Sequence, residues 1–117
     1  HVGHGAIIHS ARIGRNALIG MNAVVNDNAV VGEEAIVSAM AFVKAGMEIP
    51  RRTLVSGIPA RIVREVTDDE IAWKTDGTSL YKQLTVRSLR TMRETVALTE
   101  VEANRPTFDL PEVMPLS

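Results

Sequence analysis

The chain has no cysteine. This excludes a disulfide framework, a thiolate metal site and a cysteine nucleophile. Aromatic residues are only 3% of the sequence, against 45% hydrophobic residues overall, so any core must be built from small aliphatic side chains. Neither sign of charge is in excess. Thirteen basic and 14 acidic residues leave a formal charge of −1, which gives no case for nucleic acid or an anionic membrane as partner. No apolar run reaches the roughly 18 residues that would span a bilayer. The first residue is His1 rather than methionine, and a repeat is already running by Ile7. A stacked solenoid that starts mid-coil exposes an apolar end. The expectation is therefore that this is the C-terminal part of a longer chain, with any targeting segment out of view. A tag is the weaker explanation, since Val2 and Gly3 interrupt His1 and His4.

What is present is a count of six. Ile7, Ile13, Ile19, Val25, Val31, Val37, Val43, Ile49 and Val55 form an unbroken ladder. Alanine sits two residues before most of these rungs, at Ala11, Ala17, Ala23, Ala29, Ala35 and Ala41. Glycine or a small polar residue often follows a rung, as at Gly14, Gly20, Asn26, Gly32 and Ser38. A period of six fits neither a 3.6-residue helix nor a plain alternating strand; it marks a repeat architecture. In a hexad such as Ala17 to Asn22, strand alternation turns Ala17 and Ile19 inward and Leu18 outward. Gly and Asn then supply corner chemistry, because both accept positive φ at low cost. Three corners close a triangular coil, and stacked coils bury a column of Ile and Val beside Ala. Asn16, Asn22 and Asn28 read as a ladder of corner residues rather than as ligands. Handedness does not follow from the period.

The outward residue before each rung sorts by face, because every third hexad shares a face. Leu18, Ile36 and Leu54 make one face, Val24, Phe42 and Ala60 a second, and Arg12, Val30 and Glu48 the third. Two faces are apolar and costly to leave in water. One is expected to lie under a neighbouring subunit and the other under a C-terminal helix. Regularity loosens after Gly46, where Pro50, Arg51 and Arg52 predict a longer corner.

All three histidines fall within the first nine residues. His9, two past the rung Ile7, shares the column of Arg15, Met21, Asp27 and Glu33, which is outward and polar. A surface histidine and a ligand are both compatible with that place. His4 and His9 are separated by five steps, roughly 16 Å of extended chain, too far for two nitrogens each about 2 Å from one zinc ion. Either the chain folds sharply at Gly5, or the two serve different ions, each shared with a neighbouring subunit. The second arrangement is preferred. Val2-Gly3 looks like a further rung, five rather than six before Ile7.

The stretch Gly3-His4-Gly5-Ala6-Ile7-Ile8-His9, with Arg12 to Val25, Ala39 to Gly46 and Gly57-Ile58-Pro59-Ala60-Arg61, resembles the γ-class carbonic anhydrase-like hexapeptide-repeat family. It is most similar to the branch of phenylacetic acid degradation (PaaY) and carnitine operon (CaiE) proteins. The likeness covers about residues 1 to 93. It implies a left-handed parallel β-helix followed by a C-terminal helix, hence a mainly β chain with a C-terminal α element. It further implies a homotrimer holding Zn2+ or a similar divalent metal between subunits, with His4 and His9 as two of three imidazole ligands. No residue here matches the third, His1 included. Ser10-Ala11 stands where the branch usually has Gly-Cys. The implied activity is acyl-CoA thioester hydrolysis through a metal-bound hydroxide, with hydration of CO2 to bicarbonate as the nearest rival. An acyltransferase with a histidine base and a non-catalytic trimeric scaffold are further alternatives. A cytoplasmic location is expected.

The expected organisation is a β-helix repeat region over 1–60, a helical region over 61–95 and an extended tail over 96–117. Thr67-Asp68-Asp69-Glu70 reads as a capping box, opening a helix through Ile71, Trp73 and Lys74. Asp76-Gly77 is read as a break, since glycine is poor in helix interiors. A second helical stretch spans Ser79 to Arg93, with Leu80, Leu84, Leu89 and Met92 broadly on one face. Arg87, Arg90 and Arg93 read as a solvated face, with a coenzyme A phosphate contact as the alternative. Pro106, Pro111 and Pro115 mark a wandering arm that is expected to lie on a neighbour.

Overall fold

The computed structural model describes residues 1–106. Its strands are β1 (Ile7–Ile8), β2 (Arg12–Ile13), β3 (Leu18–Ile19), β4 (Val24–Val25), β5 (Val30–Val31), β6 (Ile36–Val37), β7 (Phe42–Val43), β8 (Glu48–Ile49), β9 (Thr53–Ser56) and β10 (Arg61–Glu65), followed by the helix α1 (Asp68–Thr91). Every third strand stacks in parallel, giving sheets β1-β4-β7, β2-β5-β8 and β3-β6-β9, the last extended by β10. The three sheets are the sides of a triangular prism. The hexad ladder fills it: Ile19, Val25, Val31, Val37, Val43, Ile49 and Val55 are buried, as are Ala17, Ala23, Ala29, Ala35 and Ala41.

Corner geometry corrects one expectation. Asn16, Asn22 and Asn28 do sit at positive φ, at 54°, 55° and 57°. They occupy three different corners of the triangle, however, so they form no ladder. Glu34 and Arg52 stack above Asn16, and their amides donate to the coil below, to Arg15 O and Glu33 O at 2.9 Å each. The glycine just after a rung serves a different purpose. Gly14 is not at positive φ; a Cβ there would lie 2.6 Å from Glu33 N of the next coil. Close coil-on-coil approach, not backbone freedom, demands it. The corner at Pro50 to Arg52 is likewise no longer than the others, since Ile49 and Val55 stay six apart and Arg52 takes the usual positive φ of 53°.

The first coil departs from the sequence count. Ile8, not Ile7, registers with Val25, and Ile7 pairs with Val24. Val2 bridges to Ile19. The inward ladder therefore runs Val2, Ile8, Ile13, and the one short interval lies after Ile8 rather than before Ile7. Both Ile7 and Ile8 are exposed at this end of the stack.

At the other end, Gly57 to Ala60, with a cis Ile58–Pro59 bond, sits on β7: Phe42 N donates to Gly57 O and Ala60 N to Phe42 O. β10 then returns antiparallel to β9. This strand, which the sequence did not single out, covers an open sheet edge with Arg61, Arg64 and Glu65, a charged edge of the kind that resists further pairing.

α1 is one helix, not two. Gly77 lies inside it, and the roughly 1 kcal/mol that glycine costs does not break it. The capping box is formed, with Glu70 N donating to Thr67 Oγ1 at 3.2 Å and Thr67 N to Glu70 Oε2 at 2.9 Å. Arg64 grips the same carboxylate through two bonds of 2.8 Å. The helix then runs down one corner of the prism. Asp68 pairs with Arg52 in the upper coil, while Lys74 and Thr75 bond to Asn16 two coils below. Six helical residues advance about 9 Å, matching two coil spacings of about 4.8 Å, so helix and corner are commensurate. Lys74 is buried, and desolvation lowers its pKa against a smaller opposing effect of Glu34.

Exposure of the three outward faces is unequal. The face beside this corner is best covered, with Ile36 buried and Leu18 and Leu54 half-buried. The face of Ile7, Val24 and Phe42 keeps Ile7 56% and Phe42 39% exposed. Leu80, Leu84 and Leu89 of the distal helix, and Met92 at its C-cap, are also exposed. Residues 92–106 form neither helix nor strand; the remainder of the expected arm, with Pro111 and Pro115, lies outside the described residues.

Two outcomes follow for stability. Gly14→Ala should destabilise by about 1–3 kcal/mol or more through overpacking, whereas Gly77→Ala, whose Cβ meets nothing within 4 Å, should stabilise by about 0.5–1 kcal/mol; urea titration of both reads the contrast. The Arg64 bonds, then the Thr67 amide, push the Glu70 carboxyl down to about 2. Its depressed folded pKa means the contribution is present above the unfolded value near 4.5 and fades as pH falls toward 2. Glu70→Gln should flatten that part of the acid-unfolding profile.

Candidate metal centre

His4 and His9 stand at the two ends of β1, in successive corners. Val2 and Ile8 are inward rungs, so His4 is second after its rung and His9 is first after its own. This corrects the column assigned to His9: its backbone N donates to Val25 O at 2.8 Å, the place that Asn26 takes one coil higher with Val43 O. Both histidines are exposed. The chain does not fold back at Gly5, which simply takes the positive-φ corner position at 69°. Within one chain the pair therefore sits on either side of the exposed Ile7–Val24–Phe42 face.

The imidazole of His9 has a partner. Its Nδ1 lies 3.1 Å from Asp27 Oδ1 in the coil above, with the two side chains 67% and 49% exposed. Asn26, beside Asp27, spends its amide on Val43 O at 2.9 Å. One nitrogen of His9 is thus engaged with a carboxylate, which leaves Nε2 for another ligand. His4 lines an open groove of about 380 Å³ together with Val2, Thr78, Tyr81, Lys82 and Thr85. His1 stacks edge-on against Tyr81, with ring centroids 5.0 Å apart; it serves packing. Among the described residues, no three His, Asp or Glu side chains converge on one point. Two exposed imidazoles in separate corners, one held by a carboxylate, fit a half-site completed by other residues rather than a closed cage.

His4 and His9 are candidates from the sequence, which places His9 and Asp27 in one column without pairing them; the contact at 3.1 Å comes from the structure. The signal for the true register was the five-residue interval, which the count placed one rung too early. Arg87, Arg90 and Arg93 are exposed, as a solvated face requires.

Residues 10–45 match the bacterial transferase hexapeptide (six repeats) family, and the fold is the left-handed parallel β-helix of such repeats with one C-terminal helix. It is similar to carnitine operon protein CaiE of Salmonella newport, with 53% identity over 106 residues, covering 91% of this chain and 54% of the relative. The chain thus spans about half the length of the curated relatives it matches. Among solved structures, a Bacillus cereus protein described as an acetyltransferase superposes with a TM-score of 0.70 at 38% identity, over 75% of this chain and 52% of that one. A hexapeptide transferase family protein from Anaplasma phagocytophilum gives 0.70 at 31% identity, over 74% and 53%. No helix among the described residues is long and apolar enough to cross a membrane.

Proposed function

We propose that this chain contributes two imidazoles, His4 and His9, to divalent metal sites shared between subunits of a homotrimer, and that the assembly hydrolyses an acyl-CoA thioester. The observation that carries this is the placement of the two histidines at opposite ends of β1. Neither can reach the other's corner, yet both border the same apolar face, where a second copy would bring its own histidine against them. The metal would supply Lewis acidity and a water of lowered pKa near neutral pH. His9 would offer Nε2 while Asp27 holds Nδ1, and His4 would ligate across the interface. The apolar side chains Ile7, Val24 and Phe42 would exclude bulk water, strengthening every polar interaction at the edge they enclose.

The 38% identical Bacillus cereus structure described as an acetyltransferase favours one other reading. In that reading a histidine would act as general base on an acceptor, with no metal. Metal dependence separates the two. Zinc-loaded protein is expected to hydrolyse acyl-CoA esters, to lose that activity with a chelator, and to regain it on readdition of zinc. His9→Ala should lose both metal content and turnover. Acyl transfer to an added acceptor that persists in chelator would support the acetyltransferase reading and overturn this one. Should the zinc protein hydrate CO2 and leave all thioesters intact, the substrate is wrong while the site stands.

A further inference from the structure

The one irregular corner in the repeat coincides with the only histidine that has a carboxylate partner among the described residues. Ordinary corners carry three residues between an inward rung and the next alanine, as Asn26, Asp27 and Asn28 do after Val25. Below them, His9 and Ser10 do the same work with two. Ser10 takes the positive φ, at 49°, and its carbonyl also accepts from Asn28 N at 2.9 Å. Both ends of the short corner are therefore fastened to the coil above, at His9 N–Val25 O and Asn28 N–Ser10 O. Asp27, the middle residue of the upper corner, has no residue of its own beneath it. Its carboxylate lies over His9, at 3.1 Å from Nδ1.

We infer that Asp27 is the positioning residue of this site, selecting the Nδ1–H tautomer of His9 and presenting Nε2 as the free nitrogen. A carboxylate can only accept here, so Nδ1 must carry the proton for the contact to be a hydrogen bond. An unconstrained neutral imidazole has no such requirement, and its tautomer follows whatever its neighbours accept or donate. A carboxylate behind a ligating histidine fixes the ring and raises the basicity of the other nitrogen; its loss typically costs about 10–100-fold in metal affinity. Asp27 reaches neither substrate nor ion in this role and acts through His9. The consequence for metal affinity rests on the proposed function, but the tautomer does not.

The test uses 15N-labelled, metal-free protein and long-range imidazole NMR correlations. In the parent protein, with the imidazole neutral, His9 should be Nδ1-protonated. Asp27→Ala should move it to Nε2–H, and Asp27→Asn, whose side-chain oxygen still accepts, should retain Nδ1–H. Since both side chains are exposed, circular dichroism and melting temperature should stay unchanged. Zinc affinity, read by competition with a chromogenic chelator, should fall by about 10–100-fold in Asp27→Ala and less in Asp27→Asn. An Nε2–H tautomer in the parent, or one unaltered by Asp27→Ala, overturns the assignment. Failure of the parent to bind zinc would instead remove the metal reading while leaving the tautomer result to stand or fall alone.

Discussion

The distance between one coil and the next governs the rest of this structure. Corner amides such as those of Gly14 and Glu34 find their carbonyls in the adjoining coil, and each inward rung sits on the rung of the same face. The spacing is short enough that a methyl group on Gly14 would enter the backbone above it. The interior is correspondingly narrow, which is why aliphatic and alanine columns fill it and why the sequence holds so few rings. α1 obeys the same spacing: six of its residues match two coils, so Asp68 and Lys74 meet Arg52 and Asn16 without bending the helix.

A lattice this regular gives chemistry few places to arise. Inward positions are spent on packing, and a side chain can meet another element only at corners and outward faces. His4 and His9, the proposed ligands, are both corner residues. A rigid rod also cannot bring two corners of one triangle together, so a polydentate site made from neighbouring corners has to recruit a second molecule. The apolar strip of Ile7, Val24 and Phe42 between the two histidines is the surface on which such recruitment would bury hydrophobic area.

Much of this was legible from the order of residues. The hexad count, the inward columns, the capping box at Thr67 to Glu70 and the division into three outward faces all depend on local periodicity, which a linear reading captures. What escaped it depended on registration between coils. Ile7 looked like a rung because the count ran back unbroken from Ile13, whereas pairing with Val24 and Val25 puts Ile8 inward. The same single-residue shift displaced His9 by one column, from that of Asp27 to that of Asn26. Gly77 misled in the opposite direction. Its local propensity opposes helix, but Lys74 and Thr75, anchored on Asn16 just before it, secure the turn that leads into it.

The proposed metal site joins His4 of one subunit to His9 of another. Mixing His4→Ala and His9→Ala chains tests it most directly. Each variant alone should bind no zinc at this site. Trimers formed by co-refolding the two should recover sites at the interfaces where an intact His4 meets an intact His9, and zinc with them. Mixed assemblies that stay as metal-free as either parent would contradict the account.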